Sequence, residues 1–483
     1  MGIVQKQLLN ERLLLCIGGN MSEIVALLNN VVWGIPTLLL ILGVGVFISI
    51  QTRFVQIRLL PASLHSFIRR FFERRDVDGV SSYRALCTAL AATVGTGNIA
   101  GVAGAIAIGG PGAIFWMWVC AFLGMGIKYA EATLAVRFRH RNSSGEYVGG
   151  TMHMIERTMP RFRWLAILYC FFGVVAAFGV GNATQINSVI GSINGIISYF
   201  GGNPGKTHNI LFGAMLAAII LYMLLGGAGR IGAIAEGLVP YAACGYLLLC
   251  AIVLLMRIHE LPEAFSAIVN GALNPKAVTG GMVGSVFFAL RIGASRGVFT
   301  NEAGMGTAAI AHAASNVKHP VEQGMMGIVE VFLDTIVICT MTALVILCSG
   351  TSIQYGVDSG IHLTVQAFSD ALGDWVCIPI ALFMCCFALA TILGWGLYGI
   401  RCAQFLFGSG CWKSFAYMQA ITAIISSVLG TATVWSLAEM VNGLMAIPNL
   451  IVLAYLTPEL KRLSTQYMHY KMRTPLTNGA FKC

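Results

Sequence analysis

Long apolar stretches of about 20 residues recur along the whole chain, separated by short polar connections. Each is long enough to cross the hydrocarbon of a bilayer as an α-helix. A membrane β-barrel would instead alternate apolar and polar positions over segments of about 10 residues. The pattern predicts an all-α polytopic membrane protein with eleven transmembrane helices, at roughly 31–52, 82–108, 112–136, 164–200, 209–226, 233–256, 280–309, 324–349, 375–400, 412–433 and 435–456. The longest connections have fewer than 35 residues, too few for an additional soluble domain.

Two of these helices are interrupted where they should be uniform. Gly95-Thr96-Gly97-Asn98-Ile99-Ala100-Gly101 breaks the second, and Gly297-Val298-Phe299-Thr300-Asn301-Glu302-Ala303-Gly304-Met305-Gly306 breaks the seventh. A glycine costs a helix roughly 1 kcal/mol against alanine, and a lone carboxylate in hydrocarbon costs several. Such segments persist in a membrane where unwound backbone lines a cavity. The breaks lie five spans apart, so the two units cross the membrane in opposite directions. This predicts one extra N-terminal helix followed by a 5+5 inverted repeat with two broken helices, the plan of a secondary transporter. The expected layout is an N-terminal extension over 1–30, the extra helix at 31–52, a first five-helix repeat over 82–256, a second over 280–456 and a tail over 457–483.

Broken helices suggest a chemistry. A half-helix N-terminus offers free N–H groups and a partial positive charge, and a C-terminus offers free carbonyls. Side by side they suit a zwitterion, and the unwound carbonyls can also ligate Na⁺. The plainer reading is tight helix packing through Gly97 and Gly101. Packing leaves Asn98, Asn301 and Glu302, all inside the breaks, unexplained.

Composition agrees with the class: 57% of residues are hydrophobic, 10% are charged and the mean hydropathy is +0.78. The formal charge of +10 reflects orientation rather than a nucleic-acid partner. Of the Lys and Arg residues, 22 fall on one side and five on the other, with three inside spans. This asymmetry predicts an outside N-terminus and a cytoplasmic C-terminus. Arg69-Arg70 and Arg74-Arg75 also suit contact with anionic membrane lipid. The fourteen cysteines show no metal spacing and mostly lie in apolar runs. Met1 to Asn20 lacks signal-peptide features, so an upstream start or a dispensable extension before Met21 is expected. No nucleotide motif or catalytic set stands out, so neither an enzyme nor a cofactor is expected.

Several blocks then resemble a known family. Gly95 to Arg137 (GTGNIAGVAGAIAIGGPGAIFWMWVCAFLGMGIKYAEATLAVR) is similar to the signature region of the alanine/glycine:cation symporters. So are Gly145 to Gly150, Gly297 to Ala311 (GVFTNEAGMGTAAIA), His319 to Gly324, Leu333 to Thr342, Leu393-Gly394-Trp395 and Ala446 to Leu450, in that order. The resemblance runs from about Met21 to the tail. It implies the five-plus-five fold of the amino acid–polyamine–cation superfamily. It further implies uptake of a small neutral amino acid through the cytoplasmic membrane, with Na⁺ as coupling ion. Thr96, Gly97 and Asn98 would hold the substrate carboxylate. Gln185 would face the pocket, Phe299, Thr300 and Asn301 would form the opposite wall, and Trp395 would limit side-chain size. The carbonyls of Ala91 and Val94 with the hydroxyl of Thr391 would form the sodium site.

Other readings of these residues stay open. Gln185 and Asn182 can hydrogen-bond across helices, Trp395 can be packing, and Thr391 can bond its own i−4 carbonyl. Lys128 and Glu131, three apart, can pair on one helix face. Glu330 and Asp334 share a face and can pair with Arg291 or Arg296, the latter placed to latch a gate. Three positions depart from the family pattern: Ala390 stands where Ser or Thr is usual, Thr151 where proline is usual, and Ile400 where an acidic residue is common. The first puts the coupling ion in question. An H⁺-driven carrier, or one for a larger amide such as glutamine, is the alternative. An ion channel would need a continuous polar pore lining.

Overall fold

A computed structural model describes residues 34–72, 80–142, 145–275, 285–357, 360–429 and 431–473, together with Val32 and Thr279. The expected extension over 1–30 and the end of the tail lie outside these. Among the described residues, seven helical stretches are long and apolar enough to cross a membrane: Gly112–Phe138, Pro160–Tyr199, Lys206–Leu224, Gly227–Met256, Pro320–Cys348, Asp374–Phe407 and Met440–His469. The pair Pro36–Gln51 and Val55–Phe72, bent by 79°, brings the number to eight if it is one broken span. The chain is thus an integral, multi-pass, almost wholly helical membrane protein.

Helix α1 (Ile35–Gln51) meets α2 (Val55–Phe72) at Arg53 and Phe54, both with positive φ near 54°. Two consecutive side chains in that region cost about 1–2 kcal/mol each. The turn lays down α2, which buries Val55, Leu59 and Ser63 and exposes Ile57, Ile68 and Phe72. The first broken helix consists of α3 (Ser82–Thr93) and α4 (Ala100–Gly109), followed by α5 (Gly112–Phe138) and the short α6 (Thr151–Thr158). Then come α7 (Arg163–Phe178), α8 (Thr184–Tyr199), α9 (Lys206–Leu224), α10 (Gly227–Met256) and α11 (Leu261–Leu273). The second broken helix is α12 (Val286–Asn301) with α13 (Thr307–Ala313). It is followed by α14 (Pro320–Val331), α15 (Thr340–Cys348), α16 (Gly360–Leu372), α17 (Cys377–Phe407), α18 (Trp412–Ser426) and α19 (Thr431–Arg473).

Two long helices carry π-turns, at Gly179–Ala183 between α7 and α8 and at Phe332–Cys339 between α14 and α15. Such turns free a carbonyl and often mark functional sites. The last helix runs through Thr457 to Arg473, whereas the sequence reading ended its span at 456. Packing carries it onward: Leu460 and Leu463 are buried, and Ser464 bonds the Tyr129 hydroxyl at 2.7 Å.

Polar bonds sort the helices into two groups. The first contains α3–α5 and α12–α15, tied by Ser82 to Gln323 (2.6 Å), Asn301 to Thr335 (3.1 Å) and Lys128 to Glu330 (2.7 Å). The second contains α7, α8 and α18, tied by Asn182 to the Gln419 carbonyl (2.8 Å), Gln419 to the Ala177 carbonyl (3.0 Å) and Asn187 to the Ser426 carbonyl, with α17 packed on α7 so closely that a Cβ on Gly173 would lie 2.7 Å from Cys402 Sγ. Large apolar side chains on the outside, such as Phe171, Leu211, Leu255 and Ile421, face where lipid would lie.

Candidate functional site

The first break is built by one asparagine. Helix α3 makes its last ladder bond from the Val94 N–H to the Leu90 carbonyl (2.8 Å). The Gly95 N–H, which would continue the ladder to Ala91, donates instead to Asn98 Oδ1 (2.8 Å). The carbonyls of Ala91 to Val94 are thereby left beyond the ladder. One 3₁₀ turn follows, with Asn98 N–H to Gly95 O and Ile99 N–H to Thr96 O, each 3.3 Å. Among the described residues the N–H groups of Thr96 and Gly97 have no acceptor. The Asn98 amide is anchored from behind, donating to Asp334 Oδ1 at 2.6 Å and to the Asp334 carbonyl at 3.3 Å.

The second break differs. Glu302 ends α12 in the left-handed region, φ +54°, with its N–H on the Val298 carbonyl (2.8 Å). Gly304 and Gly306 follow at φ +94° and +75°, conformations open to glycine and strained for other residues. Both donate their N–H to Glu131 Oε1, each at 3.0 Å, and Asn449 Nδ2 adds a third bond at 2.7 Å. Asn449 in turn bonds the Gly304 carbonyl (2.9 Å) and accepts from Thr151 Oγ1 (2.7 Å). The departure at Thr151 therefore supplies a hydroxyl to this cluster that proline could not.

Between the breaks lies a narrow cleft that admits little more than a water. Gly95 and Gly97 of the first break face Phe299, Thr300 and Glu302 of the second, with Gln185, Thr391 and Trp395 closing the remaining side. A Cβ on Gly97 would lie 3.1 Å from Thr300 Cγ2, and one on Gly95 2.5 Å from Thr391 Oγ1. Gln185 accepts from Thr96 Oγ1 (3.0 Å) and donates to the Val180 carbonyl in the first π-turn (3.1 Å). It therefore both crosslinks helices and lines the cavity. Trp395 approaches so closely that a Cβ on Gly181 would lie 2.3 Å from its own Cβ. Its indole Nε1 donates to Glu302 Oε1 at 2.6 Å. The Thr391 hydroxyl is buried without a hydrogen-bond partner, so it does not bond its own i−4 carbonyl.

The residues singled out in the sequence thus divide. Gly97, Gln185, Phe299, Thr300, Thr391 and Trp395 line the cavity, and Thr96 adjoins it through the bond of its hydroxyl to Gln185. Asn98 and Asn301 lie outside the lining: Asn301 donates to Thr335 and accepts from the Ala303 N–H (2.9 Å). Ala91 and Val94 are buried at the end of α3 with freed carbonyls, and Ala390 is buried beside Thr391. Sequence reasoning passed over Thr93 and Val180, whose π-turn was signalled by Gly179-Val180-Gly181-Asn182, and gave Glu302 no role of its own.

The charges inside the spans require a correction. Lys128 pairs with Glu330 across helices at 2.7 Å, not with Glu131 on its own helix. Glu131 is drawn instead to the N-terminus of α13. Glu330 also bonds His312 Nε2 (3.0 Å), whose Nδ1 lies 2.6 Å from Gln323 Nε2. The Glu330 carboxylate is taken by Lys128 and His312 rather than by Arg291, which lies over the Phe288 ring of its own helix (5.4 Å). The Asp334 carboxylate accepts from Asn98 and Thr335.

Two half-helices around a small polar cavity are the setting for comparison with known proteins. A sequence model described as the sodium:alanine symporter family matches residues 19–479. The chain belongs to the sodium:alanine symporter family. A sodium/alanine symporter of Methanococcus maripaludis, AgcS, is 39% identical over 440 residues, 90% of this chain and 94% of that one. An uncharacterized transporter of Haemophilus influenzae is also 39% identical, over 89% of this chain and 93% of that one. A probable sodium/glutamine symporter of Bacillus subtilis, GlnT, is 34% identical over 90% and 88%. Among solved structures, MhsT in complex with L-phenylalanine aligns with a TM-score of 0.55 at 14% identity, over 81% of this chain and 99% of that one. The last likeness concerns the fold. Together they make this family member a cation-coupled amino acid transporter.

Proposed function

We propose that the protein carries a small neutral amino acid, of the alanine or glycine class, into the cell with Na⁺. The observation that carries the reading is the cavity at the first break. Its free Thr96 and Gly97 N–H groups, at the positive end of α4, suit a carboxylate. Phe299, Thr300 and Trp395 crowd the cleft so closely that, opened for a substrate, it suits only a small side chain. Asn98 and Asn301 act from behind, shaping the breaks. The substrate carboxylate takes the two N–H groups, and Gln185 exchanges its Thr96 bond for one to the substrate.

Sodium sits at the end of α3, on the carbonyls of Ala91 and Val94 and the hydroxyl of Thr391, oxygen ligands suited to a hard cation. The unpartnered Thr391 oxygen and the ladder diverted by Asn98 support this placement. Eleven spans in a 5+5 inverted repeat, in the cytoplasmic membrane with the N-terminus outside, complete the reading. Transport then follows from the two helix groups moving as bodies about the cavity. At the cavity, among the described residues, they are joined by the bonds of Thr96 to Gln185 and of Trp395 to Glu302. On the outer side Thr364 of α16 bonds the Ile99 carbonyl (3.2 Å), and on the inner side Arg84 pairs with Glu236 (2.8 Å). Each of these contacts must open in turn.

The rival is H⁺ coupling or a glutamine-type substrate, favoured by the missing hydroxyl at Ala390. Proteoliposome uptake of L- and D-alanine, glycine, serine and glutamine, under imposed Na⁺ or H⁺ gradients, decides between them. Alanine or glycine accumulation driven by Na⁺ alone is expected. Accumulation driven only by H⁺, or of glutamine alone, replaces the reading with its rival.

A further inference from the structure

Among the described residues Glu302 is the one charged side chain lining the cavity, and it is 2% exposed. Its carboxylate accepts from two neutral donors, Trp395 Nε1 and Thr307 Oγ1, each at 2.6 Å. No cation among the described residues stands within ion-pair distance of it, because the neighbouring Lys128 ammonium is held by Glu330. A buried carboxylate without a counter-charge is costly, and here it also sits on strained backbone at φ +54°. A carboxylate offers about four acceptor directions, of which these two bonds use two. Across the same small cavity stands Gly97 with its free N–H, next in the chain to Thr96, whose N–H is free as well. One wall is therefore an anion acceptor and the other an anion, and among the described residues no side chain completes either.

We propose that Glu302 receives the ammonium of the transported amino acid, and so rejects ligands that carry a carboxylate without an ammonium. This rests on the amino acid reading above and names the group that enforces it. The bound zwitterion then supplies both missing partners at once, its carboxylate on the first break and its ammonium on the second. A lactate or propionate ion of similar size meets the N–H groups but sets an anion against the Glu302 carboxylate, without the charge that would offset it. The indole of Trp395 keeps Glu302 turned toward the cavity, which makes Trp395 a positioning residue as well as a wall.

The test uses the full chain in proteoliposomes under an inward Na⁺ gradient, measuring alanine uptake and its competition by lactate and propionate. In Glu302→Gln the preference for alanine over lactate is expected to fall at least about tenfold, through weaker alanine and equal or stronger lactate binding. A general structural defect would weaken both ligands in parallel. Parallel loss, or an unchanged ratio, overturns the proposal. Should E302Q not be recovered from the membrane, Glu302→Asp keeps the charge one methylene further back, and an intermediate fall in the same ratio is expected; no change there overturns the proposal too. If the unsubstituted protein takes up none of the neutral amino acids, the functional reading fails and this inference with it. Alanine uptake with intact selectivity in the variants overturns this inference alone.

Discussion

The first break leaves the Thr96 and Gly97 N–H groups free, whereas the second has its Gly304 and Gly306 N–H groups bound to Glu131. Both breaks have the same elements: glycines, an asparagine that ties a diverted N–H, and a half-helix beginning just beyond. In the second break the chain answers its own positive end with a buried carboxylate and three hydrogen bonds. In the first it brings an amide, Asn98, and spends it on holding the loop open. A pair of similar interruptions therefore yields one anion site and one closed joint. Glu302, at the closed joint, turns its negative charge toward the open one.

The comparison can be broken at several points, and the largest effect is expected at Asn98. Asn98→Ala removes the acceptor that diverts Gly95 and the tie to Asp334, so uptake should fall below detection while membrane insertion persists. Uptake near the unsubstituted level would remove the first break from the account. Next comes Glu131→Ala, which strands two buried N–H groups at about 1–3 kcal/mol each. Its melting temperature in detergent should drop by several degrees, whereas Glu131→Gln, keeping an acceptor, should lose less. Equal melting of both would mean that the carboxylate does not close the second joint. Gly97→Ala places a Cβ 3.1 Å from Thr300 Cγ2 and should raise the alanine KM about tenfold, roughly 1.4 kcal/mol. The larger side chain should discriminate against serine more than glycine, and an unchanged substrate order would argue against this wall. The smallest effect is expected at Ala390→Ser, which adds a hydroxyl beside the freed carbonyls. The Na⁺ concentration for half-maximal uptake should fall a few-fold, and no shift would move the sodium site elsewhere.

The spans and both breaks were legible in the sequence because each rests on local chemistry: apolar length, glycine, and polar residues where none is tolerated. The path from Arg163 to Tyr199 was read as a single helix because a π-turn preserves apolar periodicity while shifting it. Lys128 and Glu131 looked like partners because three-residue spacing is a local rule. Their actual partners, Glu330 and the Gly304–Gly306 turn, lie about 170 to 200 residues away and are set by packing. Asn98 and Asn301 were read as facing the substrate for the same reason: a polar residue in a break announces a need for hydrogen bonds, not their direction. Glu302 was visible as an anomaly, but its role depends on which neighbouring cation is already taken.

The most direct test is a structure of the protein with alanine and Na⁺ bound. The account predicts the alanine carboxylate within about 3.2 Å of the Thr96 and Gly97 nitrogens, with the Gly304 and Gly306 N–H groups still on Glu131. A carboxylate seated on Gly304 and Gly306, or away from both breaks, would contradict it.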